Sequence, residues 1–297
     1  MIVRKDDRVL VQGITGKQGT FWTEKMQAYG TTIVGGVNPK KAGTVHCGVP
    51  VYASAREAMA AETEAGRGFD YSVLFIPPLA VKAAALDAIE AGARGLCILT
   101  EHIPVHDVMY VLAAARDHGA RVLGPNTAGQ VTPGECFVGF MPAFNPAVFR
   151  PGRVGVVSRS GSLGVLVCLG LVQAGLGISA FIGIGGDPVI GTRTAEAVEL
   201  LDRFEATDAV VIVGEIGGAM EEAAADRIAA MAKPVAAFIA GAASPPGKKM
   251  GHAGALVAGD KGTYAAKRRA LEAAGAVVLD TPAAIAPAVR ERLARPS

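Results

Sequence analysis

Aromatic side chains are scarce in this sequence: they make up 5% of 297 residues, and one is tryptophan. So few rings make poor material for stacking nucleic-acid bases. Net charge is nearly absent too, since 29 Lys and Arg face 27 Asp and Glu and leave +2. A field that weak names no charged partner, and the sequence holds no basic or acidic tail. Cysteine is limited to Cys47, Cys97, Cys136 and Cys168, with no C-x-x-C pair and no histidine at metal-finger spacing. No metal site is expected on this chain, and the thiols read as reduced residues of a cytoplasmic protein. The opening "MIVRKDDRVLVQG" meets charges within its first residues, unlike a secretory signal.

Charge is also missing locally. Residues 160–186 contain none, a length that could cross a bilayer. Gly170, Gly175 and Gly177 interrupt the run, however, and it reads as helix, turn and strand. The expectation is a buried helix over Leu163–Leu176, partly covered by another chain.

What is present is apolar and glycine-rich: 51% hydrophobic residues and 38 glycines. This is a globular composition with ample length for two domains. Short apolar runs alternate with alanine-rich stretches. "RVLVQG", "TIVGGV", "SVLFIP", "GLCILT" and "RVLGPN" read as strands, separated by helical segments such as "AVKAAALDAIEAGA" and "VMYVLAAARDHGA". Continuous apolar strands in a βαβ rhythm predict a doubly wound α/β domain with a parallel sheet covered on both faces. "MPAFNPAVFRPG" then breaks the rhythm with three prolines, and residues 141–152 are taken as a linker between domains at 1–140 and 153–297. The rhythm resumes with "RVGVVS", "ISAFIGIGG", "AVVIVGEIGG", "PVAAFIAG" and "AVVLD", a second α/β domain.

Several strand ends carry chemistry. "GITGKQG" places Gly13, Gly16 and Gly19 between a strand and a helix, where backbone N–H groups can approach an anion. A dinucleotide site would follow with an acid about twenty residues on; here Asn38 precedes Lys40 and Lys41. Two cations suit a ligand with an extra ribose phosphate, coenzyme A or NADP. Pro77 and Pro78, Thr100 and Glu101, and Asn126 and Thr127 follow successive strands and favour a pocket on that sheet edge. In the second half, Ser160, Gly161 and Ser162 open a helix, either as a cap or as a phosphate cradle. Glu215 ends an apolar strand, as a surface charge or as an orienter of an imidazole. His252 lies in "SPPGKKMGHAGALVAGDKG", a long small-residue loop that could present a ring nitrogen to phosphate.

The runs "GITGKQGTF", "GGVNPKKAGTVHCGVPVY", "GPNTAG", "TPGEC", "PGRVGVVSRSGSL", "GIGGDPVIGT", "GEIGG" and "GKKMGHAGALVAGDKGT" occur in one order along essentially the whole chain. Together they resemble the α subunit of succinyl-CoA synthetase (succinate–CoA ligase) and its relatives, malate–CoA ligase α subunits among them. The resemblance implies a Rossmann-like CoA-binding domain followed by a flavodoxin-like ligase domain. It implies CoA held by Thr15, Gly16, Lys17 and Gln18, by Lys41 and Pro77, and by Asn126; Glu101 lies on the same sheet edge. It implies His252 as the phosphohistidine, Glu215 as its orienting carboxylate, and Ser160, Gly161 and Ser162 as the phosphate-binding helix start. It further implies a partner β subunit, in an αβ or α2β2 assembly, whose ATP-grasp domain holds ATP or GTP with Mg²⁺, and a place in the tricarboxylic acid cycle.

The sequence departs from the family at three points. Val165 and Leu166 replace the usual Tyr-Glu pair, "GPNTAG" replaces "GPNCPG", and Lys40 stands where glycine is frequent. The helix departure bears on the partner contact and on which acid is used: succinate, malate, citrate or sulfoacetate. Two other classes of function fit parts of the pattern, a non-catalytic CoA-binding regulatory module and an NADP oxidoreductase.

Overall fold

The computed structural model describes residues 2–244, 251–257 and 261–294. Seven strands form the first sheet: β1 (Arg8–Gln12), β2 (Thr32–Val37), β3 (Val45–His46), β4 (Val49–Tyr52), β5 (Tyr71–Leu74), β6 (Gly95–Ile98) and β7 (Arg121–Leu123). Their order is β3-β4-β2-β1-β5-β6-β7, parallel except for the β3–β4 pair. Helices α1 (Lys17–Tyr29), α2 (Ala55–Glu64), α3 (Val81–Glu90) and α4 (Val105–Asp117) connect the strands. Alternate side chains serve opposite faces, as the pleat requires. Val9, Val11, Val73, Cys97 and Leu123 enter one core, whereas Leu10, Leu74, Leu96, Ile98 and Val122 enter another beneath α2, α3 and α4.

The second sheet contains β8 (Gly129–Thr132), β9 (Cys136–Gly139), β10 (Pro151–Ser158), β11 (Ile178–Gly183), β12 (Ala209–Glu215), β13 (Val235–Ala240) and β14 (Val277–Leu279). The order is β14-β13-β12-β10-β11-β8-β9, with β8 and β9 antiparallel to their neighbours. Helices α5 (Gly161–Gln173), α6 (Thr194–Arg203), α7 (Ala225–Ala229), α8 (Tyr264–Ala273) and α9 (Ile285–Ala294) accompany it. Both halves are therefore doubly wound α/β units.

The sheet change falls earlier than the proline-rich segment. Residues 129–139 form a hairpin that pairs with β11, Val131 opposite Phe181, and so belong to the second sheet. Gly134, at φ +82°, turns that hairpin. The supposed linker is no exposed tether either. Met141, Ala143, Val148 and Phe149 are buried in a core that also takes in Val9 and Val11 of the first sheet and Val156 and Phe181 of the second. Hydrophobic burial thus ties the two sheets together through the segment that joins them.

Helix α5 fills the uncharged stretch. It buries Gly164, Val167, Cys168, Leu171 and Val172, while Leu166 remains 49% exposed. Among the described residues no helix is long and apolar enough to cross a membrane.

In each sheet the strand order reverses once beside a central strand, between β1 and β5 and between β10 and β12. Ligands of open α/β sheets bind at the carboxyl ends of strands at such points. Glu215 is the last residue of β12, the other sequence-predicted site residues except His252 follow a strand end, and His252 lies in the loop after β13.

Candidate functional site

The first group surrounds the reversal at β1 and β5. Gly13 adopts φ +79°, and a Cβ there would lie 2.4 Å from the Phe75 carbonyl oxygen. A Cβ on Gly19 would lie 2.1 Å from the Gly13 carbonyl oxygen. The chain's own packing therefore demands these two glycines. Gly16 differs: its φ is −76°, and an added Cβ would meet only the Gly13 oxygen, at 3.3 Å. It caps α1 without a side-chain hydrogen bond, and the first turn carries no acidic residue. The unpaired N–H groups of that turn remain available to an anion.

Asn38 joins this turn to the two lysines. Its Nδ2 donates to Thr15 Oγ1 at 2.5 Å, and its Oδ1 accepts from the Lys40 backbone N–H at 3.0 Å. The second bond folds residues Pro39–Lys41 into a short 3-10 turn with both lysines exposed. Lys17 and Gln18 are exposed at the start of α1. Pro77 is exposed and begins another 3-10 turn after β5. The next strand ends are laced together: Thr100 Oγ1 donates to the Ile76 carbonyl at 2.7 Å, and Asn126 N–H donates to the Thr100 carbonyl at 3.0 Å. Glu101 is exposed on the same edge, 3.5 Å from His102 Nε2. These backbone donors, lysines and proline all follow strand ends of the first sheet, and form its candidate rim.

The second group is more compact. A cavity of about 330 Å³ is lined by Ser160, Ser162, Glu215, Ile216, Gly251 and His252, among others. Three predicted elements, the serine turn, the strand-end carboxylate and the histidine, thus share one space. His252 Nδ1 lies 2.7 Å from Glu215 Oε2. With the carboxylate accepting, Nδ1 carries the proton and Nε2 keeps its lone pair. Glu215 is 7% exposed, whereas the His252 side chain is 28% exposed, so an orienting group lies behind a reachable ring.

The Glu215 hydrogen bond, reinforced by its charge, holds the His252 imidazole above its ordinary 6.5. Burial and the Arg159 guanidinium oppose that shift, and Asp187 adds to it. Ser160 caps α5, its Oγ accepting from Leu163 N–H at 3.3 Å and lying 3.3 Å from Ser162 Oγ. The first turn of α5 has no acidic residue to compete with an anion.

The glycines around the histidine have a structural use. A Cβ on Gly186 would fall 2.4 Å from His252 Cγ, and one on Gly254 would fall 2.6 Å from Arg159 Nη2. Gly254 N–H donates to the Gly186 carbonyl at 3.0 Å, and Ala255 N–H donates to the His252 carbonyl at 3.1 Å. Small residues let the loop lie directly on the β11 exit. The flanking residues 245–250 and 258–260 of the predicted histidine loop lie outside the described residues.

Asn126 connects the two groups. It takes φ +54°, and its Nδ2 donates to Asp187 Oδ1 at 3.0 Å. Its carbonyl accepts from the Gly186 N–H at 3.2 Å. The same residue therefore closes the rim of the first sheet and touches the segment on which the His252 ring packs. Sequence reasoning assigned it to the CoA rim alone.

Sequence reasoning missed Arg159, Asp187, Glu221 and Lys267, and it missed Gly186 as a packing residue. Arg159 did offer a signal, a charge directly after the apolar run "VGVVS". Glu221 and Lys267 offered none, because each sits in an ordinary alanine-rich stretch with other charges nearby.

Comparison with known proteins matches two family profiles to the chain. The one described as a CoA binding domain matches residues 4–102, and the one described as CoA-ligase matches residues 157–277. The chain is 48% identical over 293 residues to the succinate–CoA ligase (ADP-forming) subunit alpha of Methanothermobacter thermautotrophicus, covering 99% of this chain and 97% of that protein. It is 42% identical over 287 residues to the ADP-forming sulfoacetate–CoA ligase subunit SauD of Bilophila wadsworthia, covering 96% of each. Among solved structures, the ATP citrate lyase of Methanothrix soehngenii, in complex with citrate and coenzyme A, superimposes with a TM-score of 0.84 at 22% identity. All of this chain is covered, and 52% of that longer one, a likeness of fold.

Proposed function

This chain belongs to the succinate–CoA ligase α-subunit family, and from that premise we propose that it is the catalytic α subunit of a nucleotide-dependent carboxylate–CoA ligase. One observation carries the reading: His252 Nδ1 rests 2.7 Å from Glu215 Oε2 in a cavity shared with the serine-capped start of α5.

That geometry suits covalent phosphoryl transfer. The neutral imidazole, its Nδ1 proton held by Glu215, attacks the terminal phosphorus of a nucleoside triphosphate through the Nε2 lone pair. The N–P bond forms as the bridging P–O bond breaks, and the nucleoside diphosphate leaves with the electron pair. The ring, now bonded at both nitrogens, is cationic, and Glu215 opposes that charge at close range. The N–H groups and hydroxyls of Ser160, Gly161 and Ser162 offer an anion site beside it. A substrate carboxylate oxygen then attacks the phosphorus, the N–P bond breaks, and the imidazole regains its lone pair. Finally the thiolate of CoA attacks the acyl carbon of the acyl phosphate and expels inorganic phosphate.

In this reading CoA lies along the first sheet's edge, on Thr15, Gly16, Lys17 and Gln18, with Lys41, Pro77, Glu101 and Asn126 around it. The nucleotide, ATP or GTP with Mg²⁺, belongs to a partner β subunit with an ATP-grasp domain. Succinate is the default acid, with malate, citrate and sulfoacetate as alternatives. The exposed Leu166 and the partly buried Val165 in place of Tyr-Glu make the choice an experimental one.

The test is an assay of the chain co-purified with its β partner, scoring CoA-dependent release of phosphate with each of the four acids. One acid is expected to support turnover in the wild type, and His252→Asn is expected to abolish it. Turnover retained by His252→Asn would refute the reading, as would CoA binding without turnover on any acid, the outcome expected of a regulatory module.

A further inference from the structure

Behind the His252–Glu215 pair lies a buried run of charge. Arg159 is 3% exposed, and Glu221 and Lys267 are fully buried. Arg159 Nη2 lies 3.1 Å from Glu215 Oε1, the carboxylate oxygen that His252 does not use. Its Nη1 donates to the Gly217 carbonyl at 3.2 Å and lies 3.9 Å from Glu221 Oε1. That same Glu221 oxygen accepts from the Glu215 backbone N–H at 3.2 Å, so it pins the strand end carrying the carboxylate. The other Glu221 oxygen pairs with Lys267 Nζ. Lys267 also lies 3.3 Å from Glu222 Oε2, and Glu222 Oε1 accepts from the Gly262 N–H at 3.1 Å, just before α8.

Room for this arrangement is built into the strand. A Cβ on Gly214 would fall 2.6 Å from Glu221 Oε1. Placing two fully buried charges here costs desolvation, and ion pairs of this kind are weak evidence for stability alone. Their best-supported use is to fix one arrangement. Here the arrangement fixed is that of a carboxylate divided between a guanidinium and an imidazole, and of the loop that ends at α8.

Resting on the phosphohistidine reading above, we propose that Arg159, Glu221 and Lys267 are positioning residues for His252. Glu221, held by Lys267, sets Arg159; Arg159 takes one oxygen of Glu215; the other oxygen is left facing Nδ1, and Nε2 is left as the nucleophile. Charged groups face the ring from three elements: Glu215 at the end of β12, Arg159 at the end of β10 and Asp187 after β11. Without Glu221 the guanidinium loses its second carboxylate and competes for both oxygens of Glu215.

The experiment uses Glu221→Gln and the paired Glu221→Gln/Lys267→Met, each in the complex with the β partner. The paired variant removes both buried charges, so it recovers stability if Lys267 alone would have been left uncompensated. Three quantities are read: thermal stability, the ¹⁵N signature and titration of the His252 ring, and the single-turnover rate of His252 phosphorylation. Both variants are expected to lose Nδ1–H tautomer, to titrate lower at His252, and to phosphorylate roughly ten- to a hundredfold more slowly, the scale of a misplaced reacting group. The KM for CoA should stay unchanged. A paired variant that folds with wild-type tautomer, titration and phosphorylation rate would overturn the proposal and leave these residues a structural role. If wild-type His252 takes up no phosphate, the phosphohistidine reading fails, while the ring signatures of the variants still decide the network.

Discussion

His252 sets the behaviour at the scale of single residues. Its imidazole is held above 6.5 by the Glu215 hydrogen bond. A raised folded value means that the contact's contribution to stability is complete below about 6.5 and is lost as pH rises through the folded value. Chemistry runs the other way, because only the neutral ring has a lone pair at Nε2. Phosphorylation of His252 should therefore increase with pH, with its midpoint above 6.5. Glu215→Gln removes the acceptor charge, so stopped-time phosphorylation across pH should show that midpoint moved down and the plateau lowered. A midpoint unchanged by the substitution would mean that Glu215 does not govern the ring. Both residues were legible in the sequence: a carboxylate ending an apolar strand and a histidine among glycines are conspicuous locally. Glu221 and Lys267 were not legible, because their meaning is a contact 46 residues apart in the chain. Local pattern carries no trace of such a pair.

Elements show the same division. The five strand runs read in the first half match β1, β2, β5, β6 and β7 to within a few residues, because a strand buried on both faces is a continuous apolar run bounded by turns. The β3–β4 and β8–β9 hairpins escaped notice. Their strands are two to four residues long and contain Gly, Pro, His or Gln, too short for any period to emerge. The assignment of residues 129–139 to the second sheet was likewise hidden, since pairing with β11 is a tertiary choice. The first glycine turn was legible as a turn, although its glycines divide by role. Gly19 lets α1 cross the strand exit, where a Cβ would sit 2.1 Å from the Gly13 oxygen. Gly19→Ala should cost about 1–3 kcal/mol through forced overpacking. Denaturant unfolding would register this as a lower midpoint with an unchanged slope. The affinity for CoA should fall with it, as the first turn of α1 is displaced from the rim. Stability and CoA affinity both equal to wild type would show that the crossing is looser than described.

For the whole molecule, two α/β sheets share a core through Met141, Ala143, Val148 and Phe149, and each presents its candidate site residues at the carboxyl ends of its strands. Asn126 joins those two edges by its bonds to Asp187 and Gly186. The proposed CoA edge and the proposed phosphoryl-carrying histidine are thereby linked through one residue, an arrangement suited to a relay between them. No single sequence run announces that union, because it depends on the positive φ of Asn126 and on a glycine flattened beneath an imidazole. The proposed relay requires a covalent phosphate on His252. The most direct measurement is to incubate the αβ complex with labelled nucleoside triphosphate, map the phosphate by tandem mass spectrometry, and chase it with CoA and acid. The expected result is an acid-labile, base-stable phosphate on Nε2 of His252 that disappears on addition of both CoA and the acid substrate. A complex that turns over while His252 stays unlabelled, or a label that the chase does not discharge, would contradict the account.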